Sequence, residues 1–254
     1  MSHIKQSLSW WCLAGSMTPE EIVSTAVQIG YKGIELAPEE HWPLIKEAGL
    51  TVVSINGHAS ISDGLNRREN HTRIHQELAA NIEKAAKWKI PVLICFSGNR
   101  GGLDYTTGIQ NTVEVLRSVA PLAEKAGVML ALELLNSKVD HIDYQCDHTA
   151  WGAEVIRIVD SPNVKLLYDI YHMQVMEGDI IATIRENHVL IAHYHTAGVP
   201  GRHDIDDTQE LNYLPIVHTI LENGYRGYLG QEFVPKGDPL EAYRKAYQLC
   251  DISL

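Results

Sequence analysis

Val164-Lys165-Leu166-Leu167-Tyr168-Asp169 is an apolar run that stops on a carboxylate, with Ile170-Tyr171-His172 directly behind it. The same construction recurs on both sides. Upstream, Met129-Leu130-Ala131-Leu132 stops on Glu133; downstream, Leu190-Ile191-Ala192-His193-Tyr194 stops on His195, and Tyr228-Leu229-Gly230-Gln231 stops on Glu232. The intervals fit a strand followed by a helix. Strand-like runs at about 5–10, 33–36, 51–56, 91–96, 129–134, 164–169, 190–195 and 227–232 alternate with stretches of helical period. Ile22, Ala26, Val27 and Ile29 make one such stretch, and Ala79, Ile82, Ala85 and Ala86 another.

Helix ends carry their own chemistry. Thr18-Pro19-Glu20-Glu21 reads as a capping box with proline at the first helical position. Ala48-Gly49, Ala126-Gly127 and Asn223-Gly224 place glycine where a left-handed residue ends a helix. No proline- or serine-rich linker or shift in composition divides the chain, and no glycine-rich phosphate loop follows the first strand. Eight alternations in 254 residues predict one α/β domain over 1–254, a single (β/α)8 TIM barrel, in preference to an open doubly wound sheet.

In such a barrel the C-terminal strand ends converge on one mouth, so residues far apart in sequence meet. One strand-end acid is commonplace. Three carboxylates and an imidazole at four strand ends predict a metal site made of Glu133, Asp169, His195 and Glu232. That donor set suits Mn2+ or Mg2+, with Co2+ or Zn2+ also compatible. His172 is expected to orient a substrate oxygen, with a second metal or a helix cap as the other readings. In the loop Thr196-Ala197-Gly198-Val199-Pro200-Gly201-Arg202-His203-Asp204, Arg202 offers a planar fork to a substrate carboxylate or hydroxyl. His58 could reach substrate from the third strand, and Asn136 and Glu35 are further candidates. Trp10 and Trp11 would line an apolar wall or cover the rim. His71, His75, His188 and His218 read as helix-face residues.

A net charge of −11 argues against nucleic acid or an anionic membrane as partner. Cys12, Cys95, Cys146 and Cys250 show no C-x-x-C spacing, and the first two read as reduced packing residues. Met1-Ser2-His3-Ile4-Lys5 has no secretory character, and no stretch approaches the ~18 apolar residues of a membrane span. A cytoplasmic enzyme is expected. Apolar rim residues such as Trp151 would serve the interface of a homo-oligomer.

The segments Leu132-Glu133-Leu134-Leu135-Asn136, Tyr168-Asp169-Ile170-Tyr171-His172, the loop from His195 to His203, and Gln231-Glu232-Phe233 together resemble the hydroxypyruvate isomerases. These lie within the xylose-isomerase-like barrels, beside ketose 3-epimerases and inosose-processing enzymes. The resemblance implies a metal held by Glu133, Asp169, His195 and Glu232, an acid/base pair of Glu133 and Glu232, and substrate contacts from His172 and Arg202. The implied reaction is an isomerisation of a small hydroxycarbonyl acid or sugar through an enediolate. Close hydroxypyruvate isomerases often carry glutamine where this chain has His195, whereas ketose epimerases carry histidine. A DNA-repair endonuclease on this barrel would need further histidines on strands three and four; strand four ends in Cys95-Phe96-Ser97-Gly98. A sugar-binding barrel without catalysis is the non-enzymatic alternative.

Overall fold

The fold is that of a computed structural model, which describes residues 4–253. The Met1–His3 part of the N-terminal reading lies outside the described residues. Along the chain run β1 (Lys5–Ser9), α1 (Pro19–Ile29), β2 (Gly33–Glu35), α2 (Trp42–Glu47), β3 (Thr51–Val52), β4 (Ser54–Asn56), α3 (His71–Trp88), β5 (Val92–Cys95), α4 (Tyr105–Ala126), β6 (Met129–Glu133), α5 (Thr149–Val159), β7 (Val164–Asp169), α6 (Ile170–Met176), α7 (Ile180–Asn187), β8 (Ile191–Thr196), α8 (Tyr213–Glu222), β9 (Tyr228–Gln231) and α9 (Pro239–Cys250). Strand neighbours follow the order β3-β2-β1-β9-β8-β7-β6-β5-β4. That is the succession of a nearly closed parallel barrel, and the expected (β/α)8 fold stands with one change. The third strand is two pieces, because Val53 leaves the ladder between them while its N–H donates to the Ile34 carbonyl at 2.8 Å.

Two compact units divide the contacts. The first comprises the chain up to Val53, Asp179–His188, and the chain from His193 onward. Here β1 pairs with β2 and β9, and β9 with β8, so Ser9 stands opposite Glu35 and His195 opposite Gly230. The capping box forms as read: the Glu21 N–H donates to Thr18 Oγ1, and Glu21 Oε2 accepts from the Thr18 N–H. The second unit comprises Ser54–Gly178 and Val189–Ala192. In it β4, β5, β6 and β7 pair in sequence, with Leu130, Leu132, Leu166 and Leu167 wholly buried. Gly127, at φ +67°, ends α4 in the left-handed conformation its sequence context predicts.

Two expectations about packing resolve differently. All four cysteines are free and buried. Trp151, however, is not a rim residue: it is 1 % exposed. It lies on the α5 face that also buries Val155, Ile156 and Val159, the i, i+4, i+8 pattern of an inward helix stripe, and it supplies no interface. Among the described residues no helix is long and apolar enough to cross a membrane.

Candidate metal centre and its surroundings

In the first unit a buried polar cluster is assembled from four strands. Glu35, the last residue of β2, is completely buried. Its Oε1 accepts from Ser7 Oγ of β1 at 2.5 Å. Its Oε2 faces two imidazoles of β8, His193 Nε2 at 2.9 Å and His195 Nε2 at 3.0 Å. His193 and His195 reach the same carboxylate because alternate strand residues share a face. Burial alone would raise the Glu35 carboxyl, but the two imidazoles that face it, His193 and His195, hold it well below the usual carboxylate range. Gly230 of β9 makes the space: a Cβ there would lie 2.7 Å from His195 Cδ2 and nearer still to Glu35 Oε1.

Glu232 follows β9 directly and is 3 % exposed. Ser9 Oγ and Trp11 Nε1 donate to its Oε1 at 3.1 and 2.8 Å. Arg202 Nη2 donates to its Oε2 at 2.5 Å, and His195 Nδ1 stands 3.1 Å from the same oxygen. Against a burial that raises it, His195 and the Arg202 guanidinium beside it hold the Glu232 carboxyl well below its ordinary range. The Arg202 guanidinium also lies 5.0 Å from the centroid of the Trp11 ring. The pair of tryptophans therefore splits in role. Trp10 is buried and stacks on His41, while Trp11 is 43 % exposed and holds Glu232 and Arg202. Arg202 takes a left-handed backbone at φ +59°, with its N–H on the Gly198 carbonyl and its own carbonyl accepting from Val234 N–H.

In the second unit Glu133 ends β6 and Asp169 ends β7, both buried. Asp169 Oδ1 accepts the His172 N–H at 3.0 Å, capping α6. His172 Nδ1 accepts from the Asn136 N–H at 3.1 Å and from Asn136 Nδ2 at 2.7 Å. Two donors at Nδ1 put the neutral ring's proton on Nε2, which lies 3.8 Å from Asp169 Oδ2. Asn136 is a bracket for its own loop: Oδ1 accepts from the Val139 and Asp140 N–H groups, and Nδ2 donates to Asp140 Oδ2. Tyr171 Oη donates to that same Asp140 oxygen at 2.7 Å. His58 is 1 % exposed and its Nε2 accepts from the Phe96 N–H at 3.0 Å. Burial, the dominant influence, lowers its pKa to about 4.

Glu133, Asp169, His195 and Glu232 each present a donor atom within 4.8 Å of the other three, and all are buried. Three carboxylates gathered that tightly repel one another, and a divalent cation relieves the repulsion. Glu35, His193 and His195 also lie mutually close, but their 2.9 and 3.0 Å separations are those of hydrogen bonds, which marks Glu35 as the support of His195. Sequence reading grouped the four residues that the fold gathers here, and ranked Glu35 lower. It passed over Ser7, Ser9, His193 and Gly230; for His193 the two-residue spacing from His195 was the available signal.

A family model described as xylose isomerase-like TIM barrel matches residues 23–251. A Danio rerio protein bearing the provisional name hydroxypyruvate isomerase is 30% identical over 80% of this chain and 78% of its own length. The Escherichia coli hydroxypyruvate isomerase is 32% identical over 49% of this chain. That match, like the one to a Xenopus laevis relative, spans about half of the relative's length, 47% and 52%. Among solved structures, one titled an AP endonuclease, family 2, from Brucella melitensis superposes with a TM-score of 0.87 over 96% of this chain and 99% of that one. At 24% identity this shows a shared fold alone.

Proposed function

The chain belongs to the xylose isomerase-like TIM barrel family, and within it we propose a metal-dependent isomerase acting on a small hydroxycarbonyl acid or sugar, of the hydroxypyruvate or tartronate semialdehyde type. The observation that carries this is the buried set of Glu133, Asp169, His195 and Glu232 with donor atoms inside 4.8 Å. These four would hold Mn2+ or Mg2+ most readily, with Co2+ or Zn2+ also suited to the mixed oxygen and nitrogen donors. When bound, the ion supplies positive charge beside the adjacent carbonyl and hydroxyl oxygens of the substrate.

The chain's own residues account for the proton movement. One of Glu133 and Glu232 takes the proton alpha to the carbonyl, and the same residue or its partner returns a proton to the neighbouring carbon. The low-lying carboxyl of Glu232 keeps it ionised, as a base requires. Arg202 and the Nε2–H of His172 are the donors assigned to the substrate's own oxygens, Arg202 to a carboxylate end. His58 and Asn136 stay in the assignment behind them, with Asn136 acting through its hydrogen bonds to His172. Isomerase names among the relatives support the reaction class. The four free, buried cysteines accord with a cytoplasmic setting.

Histidine at position 195 favours a second reading, C3 epimerisation of a free ketose or turnover of an inosose, by the same two glutamates. The deciding experiment is proton-exchange NMR in D2O on metal-loaded protein offered hydroxypyruvate, tartronate semialdehyde, ketoses and inososes. Deuterium should enter alpha to a carbonyl and be lost by ~10²–10⁴-fold in Glu133→Gln and in Glu232→Gln. Full exchange in both variants would sink the assignment.

A further inference from the structure

We propose that Glu35 is the positioning residue of His195, holding its ring proton on Nε2 so that the Nδ1 lone pair is the donor available to a metal ion. The inference rests on the metal-site reading above for its purpose, and on the first unit's geometry for its content.

A neutral imidazole has one proton and two nitrogens, and here each nitrogen faces a carboxylate. Nε2 is 3.0 Å from Glu35 Oε2, and Nδ1 is 3.1 Å from Glu232 Oε2. Glu232 already receives an O–H from Ser9 and N–H groups from Trp11 and Arg202. It is well supplied with donors without the imidazole. Glu35 is a fully buried carboxylate, and its Oε2 draws on β8 for donors. The Glu232 oxygen that Nδ1 faces already carries the Arg202 guanidinium, whereas the buried charge of Glu35 Oε2 is met by the imidazoles of β8, so the His195 proton belongs on the Glu35 side. That leaves Nδ1 unprotonated, on the same side as Glu232 and within the four-residue cluster. An imidazole bound to a metal through one nitrogen is commonly oriented by an acceptor at the other, which makes it a better ligand.

The surroundings fix Glu35 before His195 arrives on it. Ser7 Oγ holds Oε1 and His193 Nε2 holds Oε2, so the carboxylate is anchored at both oxygens by residues that are not proposed ligands. Gly230 is the cradle, since a methyl group there would occupy the approach between Glu35 and the His195 ring. Ser7 and Gly230 are register partners on β1 and β9, and Gly230 is also the partner of His195. Three strands thereby set one side chain.

The test is long-range 1H–15N NMR of the histidine side chains in the metal-free protein, together with Mn2+ titration followed by EPR. Wild type should show His195 protonated on Nε2. Glu35→Met removes the acceptor at similar volume; the proton should move to Nδ1 and Mn2+ affinity fall by about 10–100-fold. Glu35→Gln keeps an acceptor oxygen and should retain the Nε2–H tautomer with only a few-fold loss, a rescue that simple packing would not separate from Glu35→Met. A wild-type His195 protonated on Nδ1 overturns the proposal, and does so even if neither variant folds. Unchanged tautomer and affinity in folded Glu35→Met overturn it equally. Wild-type protein that takes up neither Mn2+, Mg2+, Co2+ nor Zn2+ defeats the metal reading instead, while the tautomer still decides the role of Glu35.

Discussion

His58 is moved by burial to a charge state its residue type alone does not dictate, whereas Glu35, against its burial, is held ionised by the imidazoles that face it. With its pKa lowered from 6.5 to about 4, His58 is neutral in the fold through the range where an unfolded histidine is charged. The unfolded chain then binds more protons, so stability falls as pH drops below about 6.5 and the loss is complete near pH 4. The gap corresponds to roughly 2 kcal/mol by pH 5. Denaturant unfolding at pH 7 and pH 5 should show this decline in wild type and a decline smaller by about that amount in His58→Gln. An equal decline in both would place the titration elsewhere. Glu35 behaves with the opposite chemistry. Its depressed carboxyl contributes stability above the ordinary glutamate range, lost only as pH falls through its lowered value. At this scale the clustering was readable where a polar residue ends a long apolar run, as with Glu133, Asp169, His195 and Glu232. It was less so for Glu35, which closes a strand of only three residues, and for His193, which sits inside a run and looks like part of its core. Arg202 was legible as a fork but not as the partner of Glu232, because that pairing depends on a left-handed loop backbone.

Strands were readable to within one or two residues, as were the helix start at Thr18 and the helix ends before Gly49, Gly127 and Gly224, since apolar period and caps are local signals. The exceptions have tertiary causes. Val53 interrupts a continuous apolar run because its N–H answers to Ile34, while Ser54 starts a new register opposite Val92. The inward turn of Trp151 follows from the α5 stripe, which a rim reading of one tryptophan overlooks. β9 carries the clearest prediction for an element. Gly230→Ala keeps strand backbone but drives a methyl group against Glu35 and the His195 ring. Overpacking of this kind should cost about 1–3 kcal/mol in denaturant unfolding. The same substitution should weaken Mn2+ binding, because the ring must shift to accommodate it. A variant with unaltered stability and affinity would show that the strand yields where β9 meets β8. Thr18→Ala gives a calibrating value at a distance, about 1 kcal/mol for a capping box that touches no proposed ligand.

For the whole molecule, an ion bound to the native fold and not to the unfolded chain must raise its melting temperature. Mn2+ at about 100 times its Kd contributes ~2.7 kcal/mol, which for a chain of this size is on the order of 5–10 °C. Calorimetry with Mn2+ and after EDTA should differ by that amount, and identical transitions with all four candidate ions would count against a resident metal. The barrel itself was legible because eight βα alternations leave few other arrangements, whereas the division into two units was not, since no linker marks it. That division bears on how the chain is made. The second unit draws almost wholly on one uninterrupted stretch, Ser54–Gly178, whereas the first joins β1 and β2 to β8 and β9 and needs chain from both ends. During translation Glu133 and Asp169 emerge within a segment that can begin to organise from nearby contacts, while β1, once paired with β2, must wait for β9 as its second neighbour. The two halves of the proposed ligand set are therefore born at different times, and nascent chains stalled before residue 228 would carry two of the carboxylates but no completed cluster.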